Sequence, residues 1–129
     1  MVDKKDKITL SHSEIFLRKD GIVFISFIKD SAMDLNSCNE LYVAYTELLD
    51  EKKYPFLYVI GDYVTFTNEA RNYFSTKKGS QYSRVDAFVF TSLAHKLLAN
   101  FYMKVNKPKI PTKFFNSKNE AEAWLTKYL

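Results

Sequence analysis

The stretch Glu14-Ile-Phe-Leu-Arg-Lys-Asp-Gly-Ile-Val-Phe-Ile-Ser-Phe-Ile28 contains two runs of β-branched and aromatic residues, separated by Asp20-Gly21. An Asp-Gly pair between such runs favours the positive φ angles of a type I′ turn, so the stretch predicts a β-hairpin. The second run is apolar at nearly every position, as expected of a strand that is covered on both faces. We therefore expect the second strand inside a sheet and the first strand at its edge.

Apolar runs and helix-like segments alternate along the rest of the chain. The apolar runs that we expect to form buried strands cover residues 56–60 and 85–90, and we expect residues 112–115 to form the last strand. Residues able to cap a helix precede the helix-like segments, and they are Asp34, Thr67, Ser92 and Ser117. Helical crossovers return the chain in the same direction, so they make neighbouring strands parallel. The sequence therefore predicts an α/β fold with a mixed, mostly parallel sheet of about five strands, an N-terminal β-hairpin and about four helices.

Two of these helices carry apolar residues at spacings of three and four, which places them on one helix face. The first helix, predicted over about 35–52, has Cys38 on this face, where we expect a buried and inert thiol. In the third helix, the side that we expect to face the sheet consists of Leu93, Leu97, Leu98 and Phe101.

Length and composition fit one domain. The 129 residues are 47% hydrophobic, which is too apolar for intrinsic disorder, and a single Cys excludes an internal disulfide or a Cys-rich zinc site. Residues 1–13 are mostly polar and predict a leader, either a tail or a short edge strand, before a single domain over 14–129. Neither a signal peptide nor an apolar run of membrane-spanning length is evident, so we expect a cytoplasmic protein without a membrane span.

Charge is distributed unevenly along the chain. Residues 1–70 hold 8 basic and 12 acidic side chains, whereas residues 71–129 hold 11 basic and 3 acidic ones. A basic half of this kind serves as a solvated surface, or as a face for an acidic partner, the acidic half of another copy, or a phosphate. No RNA-recognition, KH or zinc-finger motif accompanies the basic residues, which argues against nucleic acid as the partner.

Candidate binding residues follow the predicted strands. Ligands of open α/β sheets bind beyond the carboxyl ends of the strands, and helix amides there favour an anion. The residues that we expect at this edge as a ligand site are Asp62, Tyr63, Thr65, Thr67, Ser92 and His95. The alternative for Thr67 and Ser92 is a capping role alone. His12 and His95 show no metal-ligand spacing, so we predict no metal and no cofactor.

The order of elements and four C-terminal segments resemble a known family. The segments are Asp86-Ala-Phe-Val-Phe-Thr-Ser92, Asn100-Phe-Tyr-Met-Lys104, Pro111-Thr-Lys-Phe-Phe115 and Glu120-Ala-Glu-Ala-Trp124. They resemble the STAS-like group of small bacterial domains, related in fold to the anti-sigma-factor antagonist SpoIIAA and to CRAL-TRIO lipid-transfer proteins. The chain is most similar to an uncharacterised branch of this group in Bacteroidetes.

This resemblance implies a regulatory or ligand-sensing domain without catalytic residues. In the antagonists, a Ser at the start of the helix after the third strand is phosphorylated. The matching stretch here, Gly61-Asp-Tyr-Val-Thr-Phe-Thr-Asn68, contains no Ser, so Thr65 or Thr67 would take its place.

Three functional hypotheses remain open from the sequence. The first is a non-enzymatic protein-interaction or regulatory domain that forms a homodimer or binds another protein. It is favoured by aromatic residues in excess of the apolar helix faces, namely Tyr42, Tyr63, Phe66, Tyr73, Phe74, Tyr82 and Tyr102. The second is a carrier of a small apolar, lipid-like ligand. The third is a small hydrolase-like enzyme that would use Asp62, Ser92 and His95.

Overall fold

Strands and helices alternate along residues 7–129, the part of the chain that the computed structural model describes. The strands are β1 (Lys7–Thr9), β2 (Ser13–Leu17), β3 (Val23–Phe27), β4 (Ala32–Met33), β5 (Tyr54–Ile60), β6 (Thr65–Phe66), β7 (Ser83–Val89) and β8 (Thr112–Phe115). The helices are α1 (Leu35–Leu48), α2 (Asn68–Ser75), α3 (Leu93–Phe101) and α4 (Lys118–Leu125). A π-helical turn (Tyr102–Asn106) extends α3, and a 3-10 turn (Thr126–Tyr128) follows α4.

Six of these strands form one mixed sheet in the order β1-β2-β3-β5-β7-β8. The first two pairings are antiparallel and the other three are parallel. The predicted fold class is thereby confirmed: the sheet is mostly parallel and begins with an antiparallel hairpin, and four α-helices accompany it. The remaining strands, β4 and β6, form a separate two-stranded parallel ladder.

The edge of the sheet is a short strand within residues 1–13, which was one of our two alternatives for this segment, and it is not the first strand of the hairpin, as we had expected. Strand β1 pairs with β2, so the first strand of the hairpin is an inner strand and not the edge. Part of the segment predicted as a polar leader therefore belongs to the sheet, while its residues 1–6 lie outside the described residues. Ile8 supplies an apolar contact to the core, which is the signal that marks this short strand.

The turn of the hairpin is not of the predicted type I′. Its loop has three residues, because the amide of Arg18 bonds to the carbonyl of Ile22 and the amide of Gly21 bonds to the carbonyl of Arg18. Only Gly21 in this loop has a positive φ, 94°, whereas a type I′ turn requires two such residues. The Asp-Gly pair thus predicted the hairpin correctly, but the predicted type of turn was wrong.

Helix α1 ends earlier than predicted. We expected it to continue to about residue 52, but Leu49 takes an extended backbone conformation with ψ near 150°. The carboxylate of Asp50 then accepts hydrogen bonds from the amide of Lys52 and the hydroxyl of Tyr54. Such local side-chain bonds compete with the helix and explain why it stops.

Two apolar cores lie on opposite faces of the sheet. The larger core packs one face against α1, α2 and α3, and the smaller core packs the other face against α4. Cys38 is fully buried in the larger core, as expected, and burial raises the pKa of its thiol to about 12. Among residues 7–129, no helix is both long and apolar enough to cross a membrane.

The apolar face that we predicted for α3 points mainly to solvent. Leu93, Leu97 and Phe101 are 71%, 63% and 46% exposed, whereas the buried side of the helix carries His95 and Ala99. This prediction was wrong because two sets of α3 residues have helical spacing, and the sequence alone does not say which set meets the sheet. We call Leu93, Leu97, Phe101 and the exposed Val105 of the adjoining π-helical turn the α3 stripe.

The aromatic residues that we counted as a surplus lie mostly in the core. Tyr73, Phe74 and Tyr102 are buried, and Tyr42, Phe66 and Tyr82 pack partly against the larger core. Tyr63 is the exception, since 72% of it is exposed. Within residues 7–129, the exposed large apolar side chains are therefore mostly aliphatic, and α3 contributes several of them.

Candidate functional site

The loops after β3 and β5 are hydrogen-bonded to each other at the carboxyl edge of the sheet. The amide of Asp30 bonds to the carbonyl of Asp62 at 2.9 Å, and the amide of Thr65 bonds to the carbonyl of Ser31 at 3.0 Å. The short ladder between β4 and β6 continues this contact. Backbone bonds thus hold the predicted ligand edge in one defined arrangement.

An open depression of about 680 Å³ lies at this edge, between the loop after β5 and the start of α3. Five of the six predicted site residues line it, namely Asp62, Tyr63, Thr65, Ser92 and His95. The sixth, Thr67, lies outside its lining. The structure therefore brings most of the predicted residues together, although from only two of the loops.

Thr67 and Ser92 both cap helices. The hydroxyl oxygen of Thr67 accepts a hydrogen bond from the amide of Ala70 at 3.1 Å, at the start of α2. The hydroxyl oxygen of Ser92 accepts one from the amide of His95 at 3.1 Å, at the start of α3. The capping alternative therefore describes what these two hydroxyls do in the structure.

The ring of His95 anchors α3 to the loop after β5. It is buried, and its Nε2 lies 2.8 Å from the carbonyl oxygen of Val64. A carbonyl only accepts, so Nε2 carries the proton and donates it. No hydrogen bond joins this ring to the Ser92 hydroxyl among the described residues. The two residues are joined instead through the backbone amide of His95, which donates to the Ser92 hydroxyl oxygen.

Tyr63 is held in a backbone conformation that bulky residues seldom adopt. Its φ is 62°, and Asp30 in the neighbouring loop has a φ of 67°. Gly61 permits this close approach of the two loops, because a Cβ there would lie 2.7 Å from the carbonyl oxygen of Phe27. The strained turn presents the Tyr63 ring to solvent, with Lys29 Nζ 5.9 Å from the ring centre.

Phe66 closes the space beneath the depression. Its ring packs edge-on against Phe27 and Phe74, with centres 5.7 Å and 6.3 Å apart. A cavity of about 50 Å³ remains further in, and apolar atoms line it. This volume is smaller than that of an apolar cavity of about 150 Å³ that holds one benzene molecule.

Asp86 is a buried acid that the prediction of the site did not include. It is only 2% exposed, in the middle of β7, and the hydroxyl of Ser83 donates a hydrogen bond to its carboxylate. Burial raises the pKa of Asp86 to about 7. The signal was present in the sequence, because Asp86 interrupts the apolar run at 85–90.

His12 is also part of the folded structure, although we placed it in the polar leader. Its ring is buried, with Nδ1 2.7 Å from the Ser13 hydroxyl and Nε2 3.0 Å from a carboxylate oxygen of Glu40. These contacts tie the beginning of β2 to α1. No group of three His, Cys, Asp or Glu side chains within residues 7–129 is arranged to hold a metal ion.

Comparison with known proteins supports the fold. A solved structure of an uncharacterised DUF3478-family protein from Shewanella loihica PV-4, described as having a SpoIIAA-like fold, is 14% identical. The match covers 92% of this chain and 98% of that one, with a TM-score of 0.60. At this identity the likeness establishes the SpoIIAA-like fold alone, which confirms the resemblance inferred from the sequence.

A second solved structure, a protein with unknown function from Arthrobacter sp. FB24, is 23% identical over 87% of this chain and 97% of that one, with a TM-score of 0.31. No curated protein matches the chain. A family model does match residues 15–129, and its description is a domain of unknown function, DUF7793. The chain therefore belongs to the DUF7793 family and has a SpoIIAA-like fold.

Proposed function

We propose that this protein is a cytoplasmic, non-enzymatic interaction domain of the STAS-like type, and that the α3 stripe is its contact surface. The observation that carries the proposal is the exposure of this stripe. Leu93, Leu97 and Phe101 follow one another at intervals of one helical turn and stay more than 40% exposed. Contiguous apolar residues on a helix face are typical of protein interfaces.

The contacts made by the inner face of α3 explain why its outer face, the α3 stripe, stays exposed. The inner face of the helix already packs through Ala99, and His95 bonds to the loop after β5. Turning the helix to bury its leucines would break that bond and expose the His95 ring. The stripe is therefore available to a partner without any rearrangement of the domain.

We propose a non-enzymatic role because the two candidate catalytic groups, the Ser92 hydroxyl and the His95 ring, are both engaged in structural hydrogen bonds. The Ser92 hydroxyl caps α3, and the His95 Nε2 proton bonds to a backbone carbonyl. Both groups stabilise the helix start. A carrier role has less support, since the apolar cavity of about 50 Å³ is small.

We further propose Thr65 as the residue at which phosphorylation regulates this domain. The hydroxyl of Thr67 is engaged as the cap of α2, whereas Thr65 is exposed and lines the depression beside α3. A phosphate on Thr65 would add negative charge to the depression that Asp62 also lines. Mass spectrometry of protein purified from its native cells, before and after phosphatase treatment, tests this site against Thr67.

Site-specific photo-crosslinking in cells tests the interaction surface. A benzophenone amino acid at position 97 should give adducts with another polypeptide, because a partner would cover this position. The same probe at position 127, where an exposed Lys follows α4, is the matched control. If position 97 gives no more adduct than position 127, the α3 stripe is not a contact surface and the proposal fails.

A further inference from the structure

We infer that the α3 stripe binds the outer face of α1 on a second copy of this chain. This inference rests on the proposed function and names the partner. The outer face of α1, which we call the α1 face, comprises Leu35, Val43 and Glu47 together with the other exposed residues between them. Three properties of the two faces support the pairing: their exposed apolar residues, their opposite charges and the mutual repulsion of like faces.

Both faces expose apolar residues at helical spacing. On α1, Leu35 and Val43 are 45% and 54% exposed and lie two turns apart on one side of the helix. On α3, the stripe runs for three turns from Leu93 to Val105. Each face is an unpartnered apolar row within residues 7–129, and pairing them would remove both rows from water.

The charges around the two rows are opposite. Residues 35–51 contain four acidic side chains and no Lys or Arg, and Glu47 lies one turn beyond Val43 on the same side. Residues 87–119 contain six Lys and no Asp or Glu. Lys96 and Lys104 are exposed beside the α3 stripe, and the Arg71 guanidinium lies 5.5 Å from the Phe101 ring centre.

Like faces repel one another, which disfavours the simpler pairing of two α3 stripes. Two such stripes in contact would bring the Lys96 and Lys104 side chains of both copies together. Two α1 faces would likewise juxtapose Glu47 with its counterpart. Repulsion between like charges across an interface is unfavourable, whereas unlike faces gain from their complementarity. Contact between unlike faces either closes as a dimer with two such contacts or repeats as a chain.

Complementation between two variants tests this inference. The variant Leu97→Glu/Lys104→Glu puts two acidic side chains on or beside the α3 stripe, so this surface should no longer bind an acidic face. The α1 face of this variant is unchanged. The variant Val43→Lys/Glu47→Lys puts two basic side chains on the α1 face, so this face should no longer bind a basic surface. The α3 stripe of this variant is unchanged. All four positions are exposed, so both variants should fold as the wild type does, which circular dichroism checks.

We expect the wild-type mass, measured by sedimentation equilibrium, to rise with concentration in the submillimolar range. Each variant alone should associate at least tenfold more weakly, and a mixture of the two should form a one-to-one complex. The control Lys19→Glu/Lys127→Glu reverses two exposed charges elsewhere and should associate like the wild type. Raising the salt concentration should weaken wild-type association, because counter-ions screen the unlike charges.

Several results would overturn the inference. They are a wild-type chain that stays monomeric, a mixture of variants that stays monomeric, or an α1-face variant that self-associates normally. These results differ from failure of the proposed function. If cross-links from position 97 reach only a different protein, the interaction role stands and the self-association is wrong. If position 97 gives no cross-links, both proposals fall.

Discussion

Replacing Asp86 by Asn should change the pH dependence of stability in a predictable way. In the wild type, burial raises the pKa of this carboxyl from its ordinary value of 3.8 to about 7 in the folded state. The unfolded chain keeps the ordinary value. Between these two pH values the folded protein therefore binds a proton that the unfolded chain releases, and folding becomes less favourable as pH rises.

The size of the effect follows from this interval. Each pH unit between 3.8 and about 7 costs about 1.4 kcal/mol, so the total loss is about 4 kcal/mol. The stabilising contribution is fully present below pH 3.8 and is lost once the pH passes about 7. A loss of this size is a large part of the 5–15 kcal/mol that stabilises a typical domain.

The variant Asp86→Asn keeps the size of the side chain and removes its titration. Its amide oxygen still accepts a hydrogen bond from the Ser83 hydroxyl, while the buried amide protons add a cost of about 1–3 kcal/mol at every pH. We therefore expect the free energy of unfolding of the variant, relative to wild type, to increase by about 4 kcal/mol between pH 4 and pH 8. The cost of the buried amide protons lowers the free energy of unfolding of the variant equally at every pH. It therefore leaves the pH dependence of the difference between variant and wild type unchanged.

Urea unfolding followed by the fluorescence of Trp124 measures this difference. The single Trp packs against Phe115 and Tyr128, so its emission reports unfolding. Leu97→Ser at an exposed position is the control, because it removes no ionisable group, and its difference from wild type should not vary with pH. A flat difference for Asp86→Asn over the same range would show that the buried carboxyl does not titrate as argued.

Three further substitutions test how the functional edge is built. Gly61→Ala should lower the free energy of unfolding by about 1–3 kcal/mol in urea titrations, because the added Cβ would meet backbone atoms 2.7–2.8 Å away; an unchanged value would contradict this close approach. His95→Ala should cost about 1–3 kcal/mol, since it leaves the buried Val64 carbonyl without its donor, and hydrogen exchange should quicken at the start of α3 rather than in α4. Leu97→Ser should change thermal or urea stability by less than about 0.5 kcal/mol, and a larger loss would mean that this face is buried in the domain.

Much of the fold was predictable because it depends on local patterns. The apolar runs identified the inner strands, and the four capping residues identified the starts of all four α-helices. Asp34, Thr67, Ser92 and Ser117 each accept the expected hydrogen bond from a backbone amide of their own helix. These features involve residues close in the chain, so sequence spacing is enough to recognise them.

The candidate site was predictable only in part. Ligands of open α/β sheets bind beyond the carboxyl ends of the strands, and this rule predicted that Asp62, Tyr63 and Thr65 lie near Ser92 and His95. In the structure, these five residues line one depression. The rule gave no information on which hydroxyls are used as caps, on the bond from His95 to Val64, or on the strained turn at Tyr63. The caps are local, and the sequence left them open as an alternative, whereas the bond from His95 to Val64 joins residues that are 31 positions apart in the sequence.

By itself, the sequence determined the alternation of strands and helices, and with it the class of the fold. Hydrophobic periodicity and capping act over a few residues, and they are written directly into the order of side chains. Only the tertiary structure decided which side of α3 meets the sheet, because His95 and Ala99 compete with Leu93 and Leu97 at equally regular spacings. Contacts with the loop after β5 and with the core resolve that competition, and they leave the leucines in solvent as the surface on which our functional proposal rests.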